Sequence, residues 1–328
     1  MILKSSYITG NDGVGGIVGY VGGVGCTIEN CKINGIVLSK TAGEVGGIAG
    51  YIRGGRIASC QVLKPATVSG DGGSVGGVAG NVYSSTSAND ITIDNCTVYA
   101  DVTGKMNVGG IAGTVNSQGG AMRIINNAYA HGTITATLHQ LGAANMGGIV
   151  GVVTATSNVA TSVMMTKFKN TATVDEITSI GGIVGAFLGS GAISWCWSDV
   201  MIGNIITSSK TTSKLGSIVG DCALSTLPHC YYNENSTIKA SQSKNGLGSA
   251  TSSFTDGNVL SRLNWTTGKD ADLKPWVNTI WTVSSASYPT PQGIVSNEGQ
   301  RISKTKRISV IGDSISSFDG YNPEGYDA

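Results

Sequence analysis

The chain has 328 residues, of which 49 are glycine and only 12% are charged, and its formal net charge is +1. Lys and Arg are scattered singly, which excludes a basic nucleic-acid surface and a charged tail for a membrane, so neither nucleic acid nor a membrane surface is expected as a partner. Aromatic residues make up 6% while Ser, Thr, Asn, Ile and Val are abundant, a mixture that suits strands and turns.

Met1 is followed by Ile2, Leu3, Lys4 and then Ser5 and Ser6, so no apolar stretch of signal-peptide length opens the chain. The segment SSYITGNDGVGGIVGY already has the texture of the middle of a repeat, and the start reads as a fragment boundary. From there one motif recurs: VGGIVGY at Val14, VGGIAGY at Val45, VGGVAGN at Val75, VGGIAGT at Val108, MGGIVGV at Met146, IGGIVGA at Ile180 and, degraded, LGSIVGD at Leu215. A second, weaker signature trails most copies around Cys31, Cys60, Cys96 and Cys196. Short β-runs bounded by Gly, Asn, Asp and Ser, repeating at steps of roughly thirty to forty residues, predict an all-β array.

The form of the motif has a physical reading. Ile or Val at its first, fourth and often fifth positions supplies side chains for a narrow interior, each stabilising by about 1.5–3 kcal/mol when buried. One repeat cannot bury them alone; stacked at roughly 4.8 Å they form a ladder with backbone hydrogen bonds along the stack. The paired glycines sit where a Cβ would meet the next coil. This predicts an elongated, parallel β-helix-like solenoid of about seven repeats over residues 1–245, a monomeric rod. Gly110→Val should then be costly, Ser84→Val in an expected loop nearly neutral, and the stretches from Asn116 to Ala121 and from Thr154 to Thr161 should loop out. A seven-bladed propeller is the rival, although the Trp–Asp signature of propeller blades is missing.

The repeat resembles the GLUG-type repeat of bacterial, Bacteroides-type surface and secreted proteins over residues 1 to about 240. That resemblance implies an extracellular or cell-surface location, a stalk or adhesin-like role, and a surface glycan or a host or cell-surface ligand as partner.

Further along the chain, the uncharged run from Ile177 to Ser198 has the length of a bilayer span. It is in register with the repeats on either side, so it is expected to be a buried coil and no membrane span. Cys31, Cys60, Cys96, Cys196 and Cys230 recur at about one repeat position and are expected to stack inward as small apolar residues, leaving open whether neighbours pair. His131, His139 and His229 lack metal-ligand spacing, even with Cys222 and Cys230 near His229. Asp12 and Asp71 lie in Gly-rich turns that faintly suggest a calcium loop, but no other copy carries the acid. No metal and no cofactor is therefore expected, and GVGGIVG is a packing motif, not a phosphate loop.

Residues 246–292 concentrate Trp265, Trp276, Trp281 and Tyr288 and read as a cap over the open end of the solenoid. Residues 293–306 read as a polar linker. The last segment, 307–328, places the apolar run Ile308 to Ile311 before Gly312, Asp313 and Ser314. This layout resembles the first block of SGNH or GDSL hydrolases, and SFDGYNPEGY resembles a Bacteroides-type branch of them. The resemblance implies the start of an α/β SGNH-like domain, with Ser314 as nucleophile and Gly312 and Asp313 as its block neighbours. A serine needs a base and oxyanion donors, and the late blocks that supply them in that family do not lie within the sequence. Two readings follow: a structural or interaction module that presents a downstream domain and is itself inactive, or part of a secreted ester hydrolase such as a glycan esterase.

Overall fold

The computed structural model describes residues 1–39, 43–84, 91–117, 123–137, 144–154, 156–160, 162–164, 167–170, 177–199, 214–222, 227, 230–233, 249–251, 279–284 and 287–292. Apart from one antiparallel hairpin, Trp281–Ser284 with Ser287–Pro291, these residues form a parallel β-solenoid, and no helix occurs among them. Parallel pairing between successive copies excludes the propeller, whose blades are antiparallel units.

Each copy of the motif bends into two short strands, and each strand pairs in register with its counterpart in the next copy. A first motif sheet contains Val14–Gly15, Glu44–Gly46, Ser74–Gly76, Asn107–Gly109, Ala144–Gly147, Ile177–Gly181 and Lys214–Gly216. A second runs Val18–Val21, Ala49–Ile52, Ala79–Ser84, Ala112–Ser117, Val150–Val153, Val184–Phe187 and Val219–Cys222. The seven copies in the sequence are thus seven rungs. A third sheet of Thr27–Glu29, Gly55–Ala58, Ile91–Asp94, Arg123–Asn126, Ser157–Ala160 and Gly191–Ser194 closes the next side. A larger sheet closes the last: its strand Lys32–Ser39 pairs through one half with Gln61–Val62 and through the other with Thr67–Gly70.

The interior is built as the motif requires. The fourth-position residues Ile48, Val78, Ile111, Ile149, Ile183 and Ile218 and the fifth-position Ala49, Ala79, Ala112, Val150, Val184 and Val219 are all fully buried. The carbonyl of each fourth residue accepts two N–H groups from the preceding rung, as Val78 does from Ile48 at 2.9 Å and Ala49 at 3.0 Å. A Cβ on Gly110 would lie 2.1 Å from the carbonyl oxygen of Gly148 on the next rung and 2.7 Å from Cβ of Ala130. The corresponding Cβ on Gly182 would meet the carbonyl of Ser217. Ser217 itself stands at this position in the degraded last copy and is fully buried.

Two expectations are corrected. Ser84 is no loop residue: it ends the strand Ala79–Ser84 and is fully buried, so replacing it with Val would intrude on the stack. Thr154 to Thr161 does not loop out as a whole, because Ser157–Ala160 is a strand of the third sheet. Asn116 likewise still pairs, with Tyr83, and residues 118–122 lie outside the described residues. The run Ile177–Ser198 is four strands, one in each of the four sheets, interior at Ile180, Ile183, Val184 and Phe187, as expected of a buried coil. No helix among the described residues is long and apolar enough to cross a membrane.

Candidate functional site

Along the second motif sheet, residues two apart point to the same side, so each rung offers two outward positions. At the first of them stand Tyr20, Tyr51 and then Asn81 and Thr114 on successive rungs. The second adds Arg53 and Tyr83, which follow the paired residues Ile52 and Val82. Tyr20 and Tyr51 stack with ring centroids 5.6 Å apart and 14° between planes, and Tyr83 continues the series 6.1 Å from Tyr51. Arg53 donates from Nη1 to the Tyr20 hydroxyl at 3.4 Å, and its guanidinium lies 5.4 Å from the centre of the Tyr83 ring. That hydroxyl raises the already high pKa of the guanidinium, while burial pushes the Tyr51 phenol up to about 12, so it stays protonated.

Beside the rings lies a polar border. Glu44, at the start of its motif strand, accepts a hydrogen bond from Asn81 Nδ2 at 3.4 Å. Burial raises its carboxyl above the usual range; the Asn81 hydrogen bond opposes that rise, and the nearby charge of Asp12 adds to it. Further up the stack the position of Glu44 in the first motif sheet and that of Asn81 in the second close on each other: Ser74 and Thr114 share a hydrogen bond of 2.6 Å, and Asn107 bonds both Thr114 and Asn145. Exposure falls accordingly, from 52% at Tyr20 to 8% at Thr114 and 4% at Val152. Among the described residues, this face presents aromatic side chains together with a cation and two acids at its first three rungs. The sequence carried the signal in the seventh position of the motif, which reads Tyr, Tyr, Asn, Thr, Val, Ala, Asp along the chain.

The candidate residues named from sequence separate into three groups. Cys31, Cys60, Cys96, Cys196 and Cys230 do form one inward column, all buried and all thiols. Sγ of Cys60 donates to the carbonyl of Ala58, Cys96 to that of Asp94 and Cys196 to that of Ser194, at 3.2–3.4 Å. Against the lowering effect of the Cys31 thiol, Cys96 and burial push Cys60 up to about 12; burial, then Cys196, raises Cys230. The residue before each of four of these thiols, Asn30, Ser59, Asn95 and Trp195, has φ of 52–55°. This left-handed corner turns the chain from the third sheet into the large one, a geometry that Asn tolerates better than most residues.

Of the histidines, His131 packs in an aromatic cluster with Tyr99 and Tyr129, while His139 and His229 lie outside the described residues. Asp71 pairs with Lys105 at 3.5 Å and Asp12 borders Glu44; among the described residues no group of three His, Cys, Asp or Glu side chains could hold a metal. Gly312, Asp313 and Ser314 lie outside the described residues.

No protein family's sequence profile matches the chain, and no curated protein does. Among solved structures it is similar to a Bacteroides ovatus protein described as a "putative immunoglobulin A1 protease", with TM-score 0.53 and 21% identity, over 89% of this chain and 75% of that one. At that identity the likeness is one of fold.

Proposed function

We propose that this chain is an extracellular or cell-surface interaction module, a β-solenoid that carries a binding surface and presents a downstream domain. The observation that carries the reading is the ordered stripe of Tyr20, Tyr51, Tyr83 and Arg53 on an otherwise closed, hydrogen-bonded stack. Tyr and Arg are the residue types that dominate binding hot spots, and here they are held on a rigid support. The fold shared with the Bacteroides ovatus protein, whose name refers to an extracellular antibody, is in keeping with this location. Surface labelling of intact producing cells with an antibody to residues 1–245 tests the reading. Labelling without permeabilisation is expected; labelling only after lysis overturns it.

A second reading rests on the sequence at the C-terminus. The run Ile308 to Ile311 followed by Gly312, Asp313 and Ser314 has the layout that begins an SGNH-type ester hydrolase, with residues 246–292 as cap and 293–306 as linker before it. In that reading Ser314 attacks the ester carbonyl once downstream residues provide a base and oxyanion donors. The test is acyl-ester hydrolysis by the natural full-length protein. Activity that disappears in Ser314→Ala supports it, and activity untouched by that substitution removes Ser314 from the role.

A further inference from the structure

We propose that the hairpin Trp281–Ser284 with Ser287–Pro291 is a latch: it fixes the chain's exit at the flank of the fourth rung and holds the segment after Gln292 beside the solenoid, not beyond its last rung. This rests on the reading of the chain as a module that presents a downstream domain, and it says where that domain is tethered.

The first argument is the path of the chain. Trp197–Ser198 follows the sixth copy of the motif; Tyr231–Asn233 pairs with it, and Ser249–Thr251 pairs with Tyr231–Asn233 at an eighth level of the large sheet. Trp281 then donates to Asn127 at the corner of the fourth rung. The chain has come back by four levels, about 19 Å at the ~4.8 Å spacing of neighbouring strands. Gln292 closes the hairpin on its own start, its N–H donating to the carbonyl of Ile280 at 2.7 Å and its Nε2 to that of Trp281 at 3.2 Å. The chain therefore passes Gln292 at the level of Trp281, not at that of Thr251.

The second argument is burial on this flank. Beyond the corner, Lys32, Gln61, Thr97, Tyr129 and Trp197 occupy one lateral position on successive strands of the large sheet, with Val163 between the last two. Their neighbours Cys60, Val62, Cys96, Val98, Ala128 and Ala130 fill the interior, so alternation turns this column outward. Lys32 and Gln61 are only partly buried, as outward residues should be. Thr97 and Tyr129 are nevertheless 3% exposed and Trp197 is 0% exposed, so from the third rung upward this side is covered. The corner to which Trp281 is bonded borders that covered side.

The third argument is how the hairpin is held. Two antiparallel strands alone are marginal in water, and these two form a sheet of their own that shares no ladder with the stack. The hold runs through the buried Trp281 ring and its Nε1, on an acceptor that the left-handed corner and the Asp94 carboxylate keep in place. Loss of that ring frees the hairpin without breaking a strand pairing of the solenoid, which is what makes it a latch.

Photo-cross-linking of the full chain tests the proposal, with p-benzoylphenylalanine in place of Gly293 and the cross-linked peptides identified by mass spectrometry. Cross-links should fall on residues 91–130, and their yield should drop about fivefold or more in Trp281→Ala. Trp281→Phe, which keeps a ring, should retain most of the yield. Amide exchange at Ile111 and Ile149, which donate to the carbonyls of Ile149 and Ile183 on the next rungs, should stay as slow in Trp281→Ala as in wild type. Cross-links confined to residues 215–251 overturn the proposal, as does a yield on residues 91–130 that Trp281→Ala leaves intact. Faster exchange at Ile111 and Ile149 in that variant overturns it too, because Trp281 would then be part of the stack. Surface labelling of cells is read separately, so a surface-exposed protein that fails this test sinks the latch alone.

Discussion

Trp281 and Asn127, 154 positions apart, are joined by a hydrogen bond of 3.1 Å from the indole Nε1 to Oδ1. Trp281 opens a small antiparallel hairpin, Trp281–Ser284 with Ser287–Pro291, and is only 1% exposed. Asn127 sits at the left-handed corner of the fourth rung with φ 49°, and its Nδ2 donates to Asp94 Oδ1 at 2.9 Å. A residue of the expected cap is therefore seated on the flank of the stack. Within the same segment, Ser249–Thr251 adds one more parallel strand to the large sheet, beside Tyr231–Asn233.

This contact predicts that Trp281→Ala destabilises the fourth-rung corner by about 3 kcal/mol, since it removes a large buried ring and leaves the Asn127 carbonyl short of a donor. Trp281→Phe should cost less, keeping the ring and losing the hydrogen bond. Hydrogen exchange of residues 123–130 reads both; equal protection in all three proteins would show that the hairpin does not hold the corner.

Gly110→Val should lower stability by more than ~2 kcal/mol, because the new Cβ would overlap the Gly148 carbonyl and Ala130. Leu188→Ser, at a side chain 57% exposed, should stay within about 0.5 kcal/mol of wild type. Urea midpoints of the two variants that coincide would mean the stacking position is wrongly assigned.

The cysteine column predicts a sharp division in thiol reactivity. Cys26 is exposed and should react with an aromatic disulfide reagent in the native protein, whereas Cys31, Cys60, Cys96, Cys196 and Cys230 should react only after unfolding. At Cys60, against the lowering effect of the Cys31 thiol, the Cys96 thiol and burial favour the S–H form, and at Cys230 burial does so, so native alkaline conditions should not release these two quickly. Rapid native labelling of Cys60 or Cys196, mapped by mass spectrometry, would contradict the inward column.

The Glu44 carboxyl titrates above its ordinary 4.5 in the folded protein, with burial as the largest cause. The folded state thus binds this proton more tightly than the unfolded chain does. The stabilisation is complete below the unfolded value and is lost as pH rises through the folded one. Glu44→Gln should consequently melt slightly higher than wild type at pH 7, by less than about 1 kcal/mol in free energy for a half-buried group, and the two should coincide near pH 4. A variant that melts lower at pH 7 would show that the charged carboxylate is the stabilising form.

The repeat, its parallel stacking, the inward first, fourth and fifth motif positions and the cysteine column were all legible in the chain, because each depends on a side chain recurring at one place in every copy. What periodicity could not show was where the register gives way to local detail. Ser84 is polar and follows a tyrosine, yet extra length in the third rung's strand buries it; Ser157–Ala160 lacks any motif, yet parallel pairing with Arg123–Asn126 and Gly191–Ser194 places it in the third sheet. The aromatic face has the same origin. Tyr20, Tyr51, Arg53 and Tyr83 are up to 63 residues apart in the chain, and only the stacking of successive coils puts them in contact. The sequence alone determined that coils would stack, since no single copy can bury its own Ile and Val. Which outward residues would meet, and with what charge beside them, was decided by the lateral register between rungs, a property of backbone pairing that no individual repeat contains.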